Sequence, residues 1–117
     1  MASYTINNNY KIKVLEISGR FTIENRDEFQ AFIKENVDMS APGTCIDATD
    51  LGYIDSSGIG ELLRLKMSAA KTNHVIYVFG LSDAILKMFK MSQLNHVFVI
   101  MTKEEFDSLD DPRKTDW

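Results

Sequence analysis

Hydrophobic positions change period several times along the chain, and each change marks an element. Residues 3–18 alternate with a period of two: "SYTI" and "YKIKVLEIS" flank Asn7-Asn8-Asn9. Asparagine tolerates the positive φ of tight turns, so this segment predicts a β-hairpin. In its second strand Tyr10, Ile12, Val14 and Glu16 alternate with Lys11, Lys13, Leu15 and Ile17. The alternation then breaks, which predicts burial on both faces toward the strand's end. Phe29, Phe32, Ile33 and Val37 follow at helical spacing and predict a helix over 25–37. Pro42-Gly43 interrupts the chain before a short strand, "TCIDA", at 44–48.

A second helix is predicted over 57–71, with Ile59, Leu62, Leu63, Met67 and Ala70 as its buried stripe. That stripe leaves Leu65 exposed, more simply as an isolated residue than as a docking contact. It sets Lys66 near the buried edge, where its stem can snorkel. "VIYVF" at 75–79 is a strand of β-branched and aromatic residues. Ser82 has the place of an N-cap for a helix through Met91. "VFVIM" at 97–101 is the last strand. Thr102 and Glu105 have capping-box spacing, and Phe106 and Leu109 form the stripe of a short final helix.

The predicted fold class is therefore α/β. An N-terminal β-hairpin is followed by alternating strands and helices, forming one mostly parallel mixed sheet covered by about four helices. Fully apolar central strands call for cover on both faces. One domain is expected over 1–109, with a polar tail, "DDPRKTDW", over 110–117. In such sheets, sites favour the carboxyl ends of the strands. "DLGYIDSSGIG", residues 50–60, lies just past the end of the 44–48 strand.

Charge and composition narrow the class. The net charge is −4, of which residues 102–117, with six acids and three bases, hold −3. The remainder is near neutral and leaves no basic stripe for nucleic acid. Cys45 is the one cysteine, so no intrachain disulfide is available and a reducing compartment fits. "MASYTINNNYK" lacks the apolar core of a secretory signal, and no apolar run approaches the ~20 residues of a membrane span. The expected location is cytoplasmic, with no membrane insertion.

Three readings of the "DSSG" turn compete. As a cap, Asp55, Ser56 or Ser57 can accept a backbone N–H at a helix start, while Gly58 and Gly60 allow a tight turn and close packing. A catalytic reading requires Gly-x-Ser-x-Gly. Ser56 has Ile54 and Gly58 at the glycine positions; Ser57 has Asp55 and Ile59. His74 and His96 fall where turns precede strands and read as solvated loop residues. Gly58-Ile59-Gly60 lacks the third glycine of a dinucleotide fingerprint, and no Cys or His pair has metal-ligand spacing. No metal or cofactor is called for. In the third reading the serine carries phosphate, which a helix N-terminus stabilises by roughly 0.3–2 kcal/mol. Phe29 and Phe32 read as core, Cys45 as a buried thiol, and the methionines, Met88 and Met91 among them, as adaptable core.

Between residues 10 and 106 the chain resembles the STAS-domain family, specifically its anti-sigma-factor antagonists. The likeness is densest at "IDATDLGYIDSSGIGELL" and returns in "LSDAILKMFKMSQLNHVF" and "MTKEEF". The resemblance implies a regulatory protein, not an enzyme. Its partner is an anti-sigma factor that is an ATP-dependent serine kinase, and a serine phosphatase resets it. The phosphorylated residue is Ser56, in a partner-binding loop with Asp55, Ser57, Gly58 and Ile59; Ser57 is a candidate cap. "GRFT" puts Thr22 where the family often has an aspartate near the docking surface, a position that also suits a cap. "KTNH" at 71–74 replaces the family's Gly-Gly turn. The alternative is a STAS subunit of a lipid-transport or sensory complex, never phosphorylated; a small serine hydrolase ranks third.

Overall fold

A nine-residue strand, β2 (Lys13–Phe21), organises the sheet. The computed structural model describes residues 2–7, 12–96 and 98–110. β1 (Ala2–Asn7) pairs antiparallel with β2, giving the predicted hairpin; most of its asparagine turn lies outside the described residues. The first half of β2 pairs in parallel with β3 (Gly43–Asp47), and its second half with β4 (Leu51–Ile54). β5 (Val75–Phe79) lies beside β3, and β6 (Val99–Ile100) beside β5, both parallel. The sheet has six strands in the order β1-β2-β3-β5-β6, with β4 off that path on β2.

β4 is a strand the periodicity did not reveal. The chain leaves the sheet after β3 because Asp47 Oδ1 accepts both the N–H of Thr49, at 2.9 Å, and its hydroxyl, at 2.6 Å. It then rejoins the unpaired end of β2, with a register shift between Gly19 and Arg20. Four residues with a glycine inside carry no readable alternation.

The helices are α1 (Arg26–Asn36), α2 (Ser56–Ala70), α3 (Asp83–Met91) and α4 (Lys103–Asp110), with single 3₁₀ turns at Ile23–Asn25 and Leu94–His96. Ser82 caps α3 as expected, and Thr102 and Glu105 form the expected capping box of α4. Leu109 of α4 is exposed, and Phe106 is the buried residue by which that helix meets the core. The predicted tail begins inside α4, at Asp110; residues 111–117 lie outside the described residues.

Both sheet faces are not equally covered. Leu15, Ile17, Phe21, Ile46, Ile54, Ile76 and Val78 meet α1, α2 and α3 in one large core, which includes Phe29. On the other face Val14, Cys45 and Phe79 form a smaller cluster with Phe106 of α4, against which Ile12, Tyr77 and Met101 pack. Burial on both faces of β2 accordingly falls at Val14 and Leu15, before the strand's end, where Ser18 is half-buried and Arg20 is exposed.

Three expectations need correcting. α2 buries Gly58, Glu61, Leu62, Leu65 and Ala69; of the predicted stripe Leu62 is buried and Ile59 half-buried, while Leu63, Met67 and Ala70 are exposed. Leu65 is 5% exposed, whereas Leu63 is 41% and Met67 63% exposed. Two apolar stripes run along this helix, and periodicity admits either. The packing of Gly58 against β2 selects the one that turns inward. Met91 also lies outside the core, on the last turn of α3. Third, His74 is not a solvated loop residue. It is 1% exposed, with Nδ1 2.7 Å from the Ala41 carbonyl oxygen and Nε2 2.7 Å from the Thr44 hydroxyl. A carbonyl only accepts, so the ring donates from Nδ1 to Ala41, and Nε2 shares its hydrogen bond with the Thr44 hydroxyl. His96 is exposed, as expected.

Candidate functional site

β4 delivers the chain to the "DSSG" turn at the carboxyl end of the sheet. Asp55 is extended (φ −105°, ψ −177°), and its Oδ1 accepts the N–H of Gly58 at 2.9 Å. Its carbonyl accepts the N–H of Ile59 at 3.0 Å, the first bond of α2. Asp55 is therefore the N-cap, and neither serine is. Ser56 follows as the first helical residue and is exposed; Ser57 is half-buried.

The turn is held against the end of β2. The N–H of Asp55 donates to the Phe21 carbonyl at 3.3 Å. A Cβ on Gly58 would stand 2.6 Å from that same oxygen and 2.7 Å from Ile54 Cγ1, so only glycine fits. Gly60 differs from expectation: a Cβ there meets no atom within 4 Å, so it serves no close packing. Ile59 is half-buried and packs on the main core.

Thr22 lies one residue beyond Phe21, beside the Ser56 turn. Its N–H donates to Asn25 Oδ1 at 2.9 Å, and its hydroxyl accepts the N–H of Glu24 at 3.4 Å. It caps the 3₁₀ turn that leads into α1. Ile23 follows, 56% exposed. Behind this surface Glu61 ties α2 to α1. Its buried carboxylate lies 3.3 Å from Arg26 Nε and 3.7 Å from Arg64 Nε, and Gln30 Nε2 donates to both of its oxygens at 3.1 Å.

His74 is not hydrogen-bonded to either serine. Both ring nitrogens of His74 are engaged, at the amino end of β3, by Thr44 and Ala41. Among the described residues no three His, Cys, Asp or Glu side chains could hold a metal ion, and no helix is long and apolar enough to cross a membrane. What the site presents is an exposed hydroxyl on a helix start whose cap is supplied by its neighbour. Thr22 directly follows Phe21, whose carbonyl holds Asp55, and the exposed apolar residues Ile23, Leu63 and Met67 were not expected from the sequence. The signal for the last two was available. A helix with two apolar stripes buries only one against a sheet.

The family model described as "Mlab, STAS domain" matches residues 7–102, from the end of β1 to the residue before α4. The chain belongs to that family: it is a STAS domain. Its relatives include the anti-sigma-B factor antagonist of Listeria monocytogenes, 30% identical over 59 residues, which cover 50% of this chain and 52% of that protein. Among solved structures, an anti-sigma factor antagonist from Mycobacterium paratuberculosis superposes with a TM-score of 0.80 over 94% of each chain, at 16% identity. SpoIIAA, an anti-sigma factor antagonist solved in its unphosphorylated form, superposes at 0.71 over 96% of this chain and 99% of its own, also at 16% identity. At that identity the structural likeness establishes the fold.

Proposed function

We propose that the chain is an anti-sigma-factor antagonist, a regulatory protein and not an enzyme. In its unphosphorylated form it binds an anti-sigma factor that is a serine kinase, and so releases a sigma factor for transcription. The kinase phosphorylates Ser56 with ATP, the complex dissociates, and a serine phosphatase restores the hydroxyl. These events take place in the cytoplasm.

The observation that carries this reading is the exposed Ser56 at the first position of α2, with the cap supplied by Asp55. A kinase can reach such a hydroxyl without unfolding the turn. Phosphate there adds about −1.5 to −2 charges. A charge desolvated and unpaired in an interface typically costs ~2–5 kcal/mol, enough to separate the partners. The rigid turn needs no rearrangement for this: the switch is local charge on a docking surface. Relatives named as antagonists, one of them also solved from Bacillus in a phosphorylated form, support the assignment.

The test is incubation with purified anti-sigma-factor serine kinases of the source organism and ATP, followed by phosphosite mapping and a binding measurement. Phosphate on Ser56 with loss of the complex is expected. Phosphate only at other residues, or none with any of these kinases, defeats the proposal.

A further inference from the structure

Ser56, Gly60, Leu63 and Met67 recur at intervals of four, three and four, and so share one face of α2. All four are exposed, and the main core lies behind the opposite face. The run from Ser56 to Met67 spans about 16 Å of helix. Gly60, Leu63, Arg64, Met67, Ser68 and Lys71 line an open depression of ≈ 520 Å³. Its floor is low at Gly60 because no side chain stands there.

The charge on this face is one-sided. At 100° per residue, Arg64 and Lys66 flank the apolar stripe about 80° to either side, and Lys71 closes its far end. The helix's only acid, Glu61, is buried and faces Arg26 and Arg64. A face bearing cations and no exposed anion stands out on a chain of net charge −4. Such a surface repels a second copy of itself. Two large apolar side chains are also too few for the continuous apolar face by which interfacial helices hold a bilayer.

Resting on the antagonist reading, we infer that the kinase partner lies along the whole outer face of α2, from Ser56 to Met67. Its contact surface is apolar at the centre, to cover Leu63 and Met67, and acidic at the rim, to meet Lys66 and Lys71. Ser56 is thus at one end of the interface, and the apolar contacts lie away from the reacting hydroxyl. This separates two tasks on one helix: the far residues hold the partner, and the near one ends the contact.

The experiment measures kinase binding for the wild type, Leu63→Glu, Met67→Glu and Lys66→Glu, with Met91→Glu on α3 as the control at another exposed apolar site. Leu63→Glu and Met67→Glu should each weaken binding at least about tenfold. Lys66→Glu should slow association, with the deficit shrinking as salt screens the charges. Met91→Glu should bind as wild type. Leu63→Ala with Met67→Ala repeats the test without adding charge, and circular dichroism confirms the fold of each variant. A wild type that binds the kinase and gains phosphate on Ser56, with α2 variants that bind equally well, overturns this inference and leaves the antagonist reading intact. A wild type that neither binds nor is phosphorylated defeats both. α2 variants that lose self-association or adhesion to anionic vesicles, but keep the kinase, also overturn it.

Discussion

The carbonyl oxygen of Phe21 receives the N–H of Asp55 at 3.3 Å and would stand 2.6 Å from a Cβ on Gly58. One backbone atom thus sets both the start of α2 and its distance from the sheet. Gly58→Ala pushes backbone against backbone and should destabilise the fold by about 1–3 kcal/mol. Gly60→Ala, two residues on, meets open space and relieves a helical glycine, a gain of about 0.5–1 kcal/mol. Urea denaturation of the two variants checks this. Shifts of the same sign would contradict the geometry.

Asp55 stabilises α2 through the bond to Gly58 N–H. Asp55→Ala should cost about 0.5–2 kcal/mol, and Asp55→Asn, which keeps an acceptor oxygen, clearly less. Ser57→Ala, which removes no cap, should stay within about 0.5 kcal/mol of wild type. Thermal unfolding of the three resolves the order. A Ser57→Ala loss as large as that of Asp55→Ala would return the cap to the serine.

Ser56 is exposed and outside the cap, so Ser56→Ala should leave stability and kinase binding near wild type while abolishing phosphorylation. Ser56→Asp should weaken binding, by less than phosphate does, because it brings one charge where phosphate brings about two. Titration of each variant with the kinase, with and without ATP, gives the comparison. Phosphate incorporated into Ser56→Ala at the wild-type level moves the switch elsewhere.

Much of this architecture can be read from local pattern. The hairpin, α1, β5 and the caps at Ser82 and Thr102 follow from periodicity and from residues that act on near neighbours. What could not be read depends on partners distant in sequence. β4 exists because β2 outruns β3 and offers a free edge; nothing in "LGYI" announces it. The facing of α2 was ambiguous because both stripes are apolar, and the decision lies with Phe21, 37 residues before Gly58. His74 looks like a turn residue until Thr44 and Ala41, roughly thirty residues upstream, are seen to enclose it. The serine turn was legible as a turn into a helix because its own residues define it. Its apolar surroundings were not, because exposure is a property of the assembled fold.

His74, just before β5, ties β3 and the loop before it through two hydrogen bonds of 2.7 Å, a buried one to Thr44 and a part-buried one to Ala41. His74→Phe keeps the ring volume and strands the Ala41 carbonyl and the Thr44 hydroxyl. An unsatisfied buried polar group costs about 1–3 kcal/mol, so a clear loss in denaturant midpoint is expected. Thr44→Val in the His74→Phe background removes one stranded group and should recover part of that loss. In the wild type the same Thr44→Val should destabilise. A double-mutant cycle with additive losses would mean that the two side chains do not interact.

Glu61 sets up an asymmetry that can be measured. Its carboxylate is buried, with a side chain 6% exposed, whereas its partners Arg26 and Arg64 are 46% and 69% exposed. Glu61→Gln leaves two guanidinium groups that water can solvate, and should cost about 1–3 kcal/mol. Arg26→Ala combined with Arg64→Ala leaves the buried charge with Gln30 as its remaining partner, and breaking a buried pair from that side costs about 3–5 kcal/mol. The same Glu61→Gln change should therefore reverse sign: destabilising in the wild type, stabilising in the double-arginine variant. Chemical denaturation of the four proteins tests the reversal. A Glu61→Gln loss of equal size in both backgrounds would show that the carboxylate acts through Gln30 or through packing, and that the arginines contribute nothing to the join between α1 and α2.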